Sequence, residues 1–413
     1  MFKKSLIAIA ALGAFAGSAM AADITISGRI DTGLNFHDQE VKAFGEKMVD
    51  QNEFKMKSGQ YSGSRITIKG AEELGNGMKA GFILENGFDA DDGTFDSNGD
   101  DKMFGREAIV YLEGDFGHFS MGRVGSLSSG LGSYNLMYNF TPWGTGWGDF
   151  AGNKGEFMLG DRGRMNNTIT YRSPEFAGVQ VFAQYSLEAA AQEDAQSTNN
   201  KRYAGLGASY KLGAFSTALV VDTIMNGNDD DARNTEDSLG VSWGASYDLG
   251  VTKPMVLVQY GKNENKLGGF SASTFFDEYV DDADKYRYGA NEGVKGYAIA
   301  IGAVTPLFGG NLYTSVNYTD GEYDGDVGTQ RNDGTAVDPD WNAGQRVFNG
   351  DIQRWGVAVG YDYPLSKRTK IYGFAAYNEG ELKATEVKTS GAINKGKIEE
   401  TDIEAGVGLI HYF

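Results

Sequence analysis

The sequence predicts an all-β protein: a transmembrane antiparallel β-barrel of about sixteen strands, with one long loop folded inward to constrict it. Apolar and polar residues alternate with period two along most of the chain, as in half-buried strands. The connections alternate in length, short turns against long acidic, glycine-rich loops. The alternation stops once at length in the N-terminal half, over Ser126–Gly163.

The first residues form an export signal. Lys3 and Lys4 precede an apolar run from Leu6 to Phe15, and Ala19-Met20-Ala21 supplies an A-x-A cleavage site. The run is too short to span a bilayer. Residues 1–21 are therefore expected to be a cleaved signal peptide, and 22–413 a single barrel domain. The full chain carries a formal charge of −19, and losing two lysines makes the mature chain more negative. Such a chain lacks the basic surface that nucleic acid requires. There is no cysteine, which excludes disulfide, thiolate and cysteine–zinc chemistry, and the only imidazoles are His37, His118 and His411.

Asp23–Phe36 opens the strand series, with Ile24, Ile26, Ile30, Leu34 and Phe36 on one face. Asp23, Thr25, Ser27, Arg29, Asp31 and Asn35 occupy the other. Ser64–Ala71 sets Ile66 and Ile68 against Arg65, Thr67 and Lys69, and Gly75-Asn76-Gly77 turns it into Met78–Phe88; Asn-Gly is a strong hairpin signal. Arg106–Gly114 and His118–Val124 form the next hairpin, which leads into the long loop. Beyond it, Arg164–Arg172 and Val179–Glu188 are joined by a Ser173–Gly178 turn. Further hairpins pair Tyr203–Leu212 with Ala214–Ile224, and Leu239–Leu249 with Pro254–Lys262. The last pair Tyr297–Thr305 with Asn311–Thr319, and Arg354–Tyr363 with Lys370–Asn378, before Glu404–Phe413 closes the chain.

Two features favour a barrel over a soluble sandwich. The long loops Asp89–Met103, Ala189–Asn200, Asn226–Asp237, Asn263–Gly293, Asp320–Ile352 and Gly380–Glu400 alternate with tight turns, the outer-membrane arrangement, and closure leaves no strand edge exposed. Aromatics gather at strand ends (Trp355, Tyr361, Tyr363, Tyr377, Tyr412 and Phe413), where interfacial girdles lie.

Ser126–Gly163 is rich in glycine and carries Tyr134, Tyr138, Phe140, Trp143, Trp147, Phe150 and Phe157, with three acids, Asp149, Glu156 and Asp161. A loop this long within a compact domain points to function. Other motifs carry less. Gly240-Val241-Ser242-Trp243-Gly244 matches a nucleophile elbow but lies mid-strand with no helix after it. The acids of Asp89–Asp101 lack calcium-loop spacing and read as a solvated loop. Arg123 shares the parity of Phe119 and Met121 and is expected to face outward.

These segments together resemble the general (diffusion) porins of Gram-negative outer membranes. The carriers are Asp23–Asp31, Ser64–Gly77, Thr170–Gly178 and the terminal His411-Tyr412-Phe413, in order along the whole mature chain. The resemblance implies a water-filled pore for passive diffusion of ions and small hydrophilic solutes, with no cofactor and no catalysis. It also implies a homotrimer in outer-membrane lipid and lipopolysaccharide, and barrel-assembly machinery that reads Phe413. It implies an eyelet whose loop acids, here Asp149, Glu156 and Asp161, face a basic wall formed by Arg29, Arg65, Arg106 and Arg164. Parity agrees for Arg29, Arg65 and Arg164, whereas Arg106 shares the parity of Ala108, Val110 and Leu112. Asp149 matches best by its spacing from Arg164. The net charge suggests a cation preference. Two alternatives stand beside this one: a substrate-specific porin for sugars or anions, which the loop aromatics would suit, and a barrel enzyme, for which no convergent nucleophile–base set is visible.

Overall fold

The computed structural model describes residues 23–43, 45–95, 102–149, 151, 162–190, 200–227, 236–264, 266–267, 270–271, 286–290, 293–331, 346–387 and 393–413. Among these, sixteen antiparallel crossings close into a barrel. The first, β1 (Asp23–Ala43), pairs with the last, β16 (Ile393–Tyr412), from Arg29↔Tyr412 to Ala43↔Ile398. Gly28 and Phe413 exchange backbone hydrogen bonds of 3.0 and 3.1 Å that complete the seam. The chain runs around the wall in sequence order. β2 crosses in two pieces, Glu46–Ser58 and Arg65–Gly75. β3 (Met78–Gly87), β4 (Glu107–Gly114) and β5 (Gly117–Gly125) follow. β6 (Arg164–Arg172), β7 (Val179–Ser186), β8 (Arg202–Leu212) and β9 (Phe215–Met225) come next. Then come β10 (Leu239–Tyr247), β11 (Lys253–Glu264) and β12 (Val294–Leu307). β13 (Gly310–Arg331), β14 (Arg346–Pro364) and β15 (Thr369–Val387) complete the wall. No helix among the described residues is long and apolar enough to cross a membrane; the crossing is made by strands, whose closed ladder satisfies every backbone group without water.

The alternation turns apolar residues outward. In β9, Leu219 is 45% exposed while Val220 beside it is 1% exposed, and its cross-strand neighbour Trp243 also faces out. Such a band is stable only against hydrocarbon. Several strands run well past it: β1 has 21 residues and β13 has 22, about twice the 9–11 a tilted strand needs to cross. There the surface becomes charged, and Glu40, held by Lys42 and Lys47, has its carboxyl below the ordinary range through hydrogen bonds to those lysines.

Three expectations change here. Glu46–Ser58 is a strand, and β13 to β16 extend as tall hairpins into the stretches expected to be the loops Asp320–Ile352 and Gly380–Glu400. Above the membrane the outer face meets water and no continuous apolar face marks the strands, although the lower end of Glu46–Ser58 still sets Phe54 and Met56 outward, opposite Phe36 and Leu34. Val41, Val49 and Ile398 pack together as a small apolar cluster there, inside the wall. The expected export signal lies outside the described residues.

The outward band gives a direct stability test. Leu219→Arg is expected to cost about 2–4 kcal/mol in equilibrium unfolding from lipid, against roughly 0–1 kcal/mol for Leu212→Arg beside the short turn.

Candidate functional site

The two ends of Ser126–Gly163 meet, with the Ser126 N–H donating to the Gly163 carbonyl at 3.0 Å. Between them, the described part of the segment lies against the inner wall and follows it around. Near its start, Ser133 Oγ donates to Glu107 at 2.6 Å, and the Tyr134 hydroxyl sits 2.7 Å from His118 Nε2. Leu127, Tyr134, Leu136, Met137 and Phe140 then bury themselves with Phe182, Ala218, Val220, Leu257 and Ala300, the inward side chains of β7 to β12. A Cβ on Gly244 would stand 2.3 Å from the Phe140 ring, so that position requires glycine for the loop to seat. Farther on, Trp143 and Trp147, each 2% exposed, pack against Tyr313, Ala358, Tyr372 and Phe374 on β13 to β15. Trp143 Nε1 donates to Ser315 Oγ at 2.7 Å, and a Cβ on Gly360 would press on both indoles.

The root of the segment is held by charge. Arg162 is 1% exposed. It pairs with Asp222 on β9 at 3.0 Å and with Glu264 on β11, and donates to Ser238 Oγ at 3.0 Å. Asp222 also accepts from Ser128 and from Tyr203, the latter at 3.1 Å. A buried guanidinium shared by two carboxylates is stable only where hydrogen bonds offset its desolvation.

The four predicted basic residues gather in one stretch of wall. Arg29 and Arg65 are cross-strand partners. Arg65 and Arg106 share Glu85 Oε1 at 3.2 and 2.9 Å, and Thr67 donates to its other oxygen at 2.7 Å. Arg164 lies within electrostatic range of Arg65, Arg106 and Glu85. Arg106 points inward although Val110 faces out, because it precedes the first residue of β4 and strand parity does not reach it. Arg29 also stacks over the Tyr412 ring at 5.2 Å. Arg123, expected to face outward, has outward parity opposite Ala108 and donates to the Gly105 carbonyl at 2.7 Å.

Of the predicted acids, Asp149 is described, whereas Glu156 and Asp161 lie outside the described residues. Asp149 pairs with Lys57 at 2.9 Å, and its own N–H donates to Glu404 at 2.8 Å. The carboxylate that meets the arginines is Glu85, from the wall itself, which the sequence reading passed over. Parity alone could have found it, since Glu85 alternates with Leu84 on the lumen side of β3. Arg162 was missed for lack of any periodic context. Its buried partner Asp222 sits among apolar strand residues, Leu219–Val221 and Ile224, which is itself the available signal, whereas Glu264 lies in a polar stretch that gives none.

His118 forms an acid–imidazole pair with Glu113 at 2.8 Å. Its other nitrogen is occupied by Tyr134, so the pair braces the loop.

The sequence profile of the Gram-negative porin family matches residues 8–382. An outer membrane porin protein of Bordetella pertussis is 27% identical over the full length of both chains. Outer membrane porin protein 32 of Delftia acidovorans is 33% identical over 52% of this chain and 58% of its own. Among solved structures, an anion-selective porin from Comamonas acidovorans superposes with a TM-score of 0.61 at 21% identity, covering 95% of this chain and all of the other. The trimer form of OmpT, an outer membrane protein of Vibrio cholerae, gives 0.52 at 15% identity over 95% of this chain and all of the other.

The buried latch predicts a large effect from a single change. Arg162→Met leaves Asp222 and Glu264 facing each other and is expected to lose about 3–5 kcal/mol. Adding Asp222→Asn and Glu264→Gln should recover part of it, with equilibrium unfolding as the readout.

Proposed function

The chain belongs to the Gram-negative porin family, and we propose that Ser126–Gly163 and the Arg29, Arg65, Arg106 and Arg164 row form the constriction of its channel. The protein is an outer-membrane channel, not an enzyme, and passes ions and small hydrophilic solutes by passive diffusion. One observation carries the constriction reading. The described part of the loop is seated on the inner wall from β7 round to β16, and in this reading the arginine wall bounds the aperture on its other side.

The same geometry favours anions at the narrowest level, against the guess drawn from net charge. Arg65 and Arg106 bond Glu85, and Arg164 lies in electrostatic range of it. Arg29 adjoins Arg65, and Glu107 is the other carboxylate close by, so four guanidinium groups meet two carboxylates. Asp31 and Asp362 are buried and hydrogen-bonded to tyrosines. Much of the chain's negative charge falls in the acidic stretches between strands rather than in the arginine row. The anion selectivity of the Comamonas porin agrees with this reading. Asp149 remains the loop acid assigned to the constriction, paired with Lys57; Glu156 and Asp161 complete the proposed acidic set.

A sugar slide needs open aromatic faces, and of the described loop aromatics Tyr134, Phe140, Trp143 and Trp147 are buried while Tyr138 is open. The aromatics therefore serve as the loop's seat. The remaining proposals are a cleaved signal over residues 1–21, a homotrimeric assembly, contacts of the outer loops with lipopolysaccharide, and recognition of Phe413 by assembly machinery. The trimer form of OmpT, which shares the fold, is the precedent for the homotrimer proposal.

Arg65→Ser and Arg106→Ser are each expected to move the zero-current potential in a potassium chloride gradient toward cation preference, and more so together. An unchanged potential in the double variant would remove the arginine row from the selectivity account.

A further inference from the structure

β2 leaves the wall between its two pieces. Thr32 pairs with Ser58 and Arg29 pairs with Arg65, so the two residues of β1 between those pairs face six of β2, Gly59–Ser64. The excess chain projects into the lumen as a short finger. Its neck is closed by Asp31, which is fully buried. The Gly59 N–H donates to the Asp31 carbonyl at 2.9 Å, and Ser64 Oγ accepts from the Asp31 N–H at 3.0 Å. The Ser62 N–H donates to the Asp31 carboxylate at 2.7 Å, and Tyr372 donates to its other oxygen at 2.6 Å. Gly59 has φ +69°, and a Cβ there would stand 2.8 Å from Gly63 Cα, so the neck requires glycine.

The finger touches both halves of the constriction. On one side, the Gln60 carbonyl accepts from the backbone N–H groups of Trp147 and Gly148. The Tyr61 ring lies 4.5 Å from Trp147 and 5.3 Å from Tyr372, and its hydroxyl donates to Asp362 at 2.9 Å. On the other side, Ser62 Oγ accepts from Arg29 at 2.9 Å and from Arg65 at 3.2 Å. A neutral oxygen shared by two like-charged groups holds them side by side where their repulsion would separate them.

We propose that Gly59–Ser64 is a second, strand-borne constriction element, in which Tyr61 seats the tip of Ser126–Gly163 and Ser62 positions Arg29 and Arg65. This rests on the constriction reading above. The finger sets pore size through one contact and ion preference through the other, and Ser62 and Tyr61 are positioning residues.

Planar-bilayer recording separates the roles. Ser62→Ala removes one hydroxyl and is expected to change the potassium-to-chloride permeability ratio by at least about two-fold with open-channel conductance nearly constant. Ser62→Thr, which keeps the oxygen, should restore the ratio. Tyr61→Ala should increase conductance and current noise, and Tyr61→Ala with Trp147→Ala should add little to either single change, because the two rings form one contact. Arg65→Ser is the control. If it shifts the ratio while Ser62→Ala and Tyr61→Ala match the parent channel, the finger proposal is overturned and the constriction reading stands. If Arg65→Ser also leaves the ratio unchanged, the underlying reading fails with it.

Discussion

A chain folded into a water-filled lumen holds its place only if part of it is removed from water. Here the seat consists of small or apolar residues on strand faces that would otherwise be polar. Ala218, Val220, Leu257 and Ala300 receive Leu127, Met137 and Phe140, and Ala358, Phe374 and Ala376 receive the two tryptophans. Each large side chain fully buried contributes roughly 1.5–3 kcal/mol, which acts against the entropy of ordering a glycine-rich segment. The glycines at 244 and 360 supply room for Phe140 and the indoles. The position of the described part of the loop follows from these contacts, and on the proposed reading the aperture follows from the loop.

Charge is arranged around that seat. Arg162 is wholly enclosed and satisfied by Asp222, Glu264 and Ser238, so it anchors the loop root and contributes no open field. Arg29, Arg65 and Arg106 are instead held from the side, by Ser62 and Glu85, and stay part of the lumen lining. Fixed charges in a narrow, low-dielectric surround act on a passing solute with little reorganisation. The tall hairpins above carry compensated pairs such as Lys295–Glu322 and Lys397–Glu399, which solvent screens.

The barrel was legible in the sequence because lipid enforces strict alternation. Leu239, Val241 and Trp243 against Gly240, Ser242 and Gly244 announce a strand with one face in hydrocarbon. Glu46–Ser58 was not, since Asp50 and Asn52 interrupt the face that carries Met48, Phe54 and Met56. At the site, Arg29, Arg65 and Arg164 were readable from parity. Arg106 was not, because it sits one residue outside its strand. The finger at Gly59–Ser64 left only its glycines as a trace. Its partner Asp31 looks like any lumen-facing acid until the register shows six residues opposite two. Doubly apolar strands were the overlooked clue: Ala218-Leu219-Val220-Val221 and Met255-Val256-Leu257-Val258 have no polar face, because the loop covers their inner side.

The most direct test of the account is polymer exclusion: the size of polyethylene glycol above which added polymer ceases to lower single-channel conductance. It should be compared between the native channel and one in which Tyr134–Asp149 is replaced by a short glycine linker. A lumen narrowed by this segment predicts that the shortened channel admits distinctly larger polymers. The same cut-off in both channels would contradict it, because the aperture would then be set by the barrel wall alone.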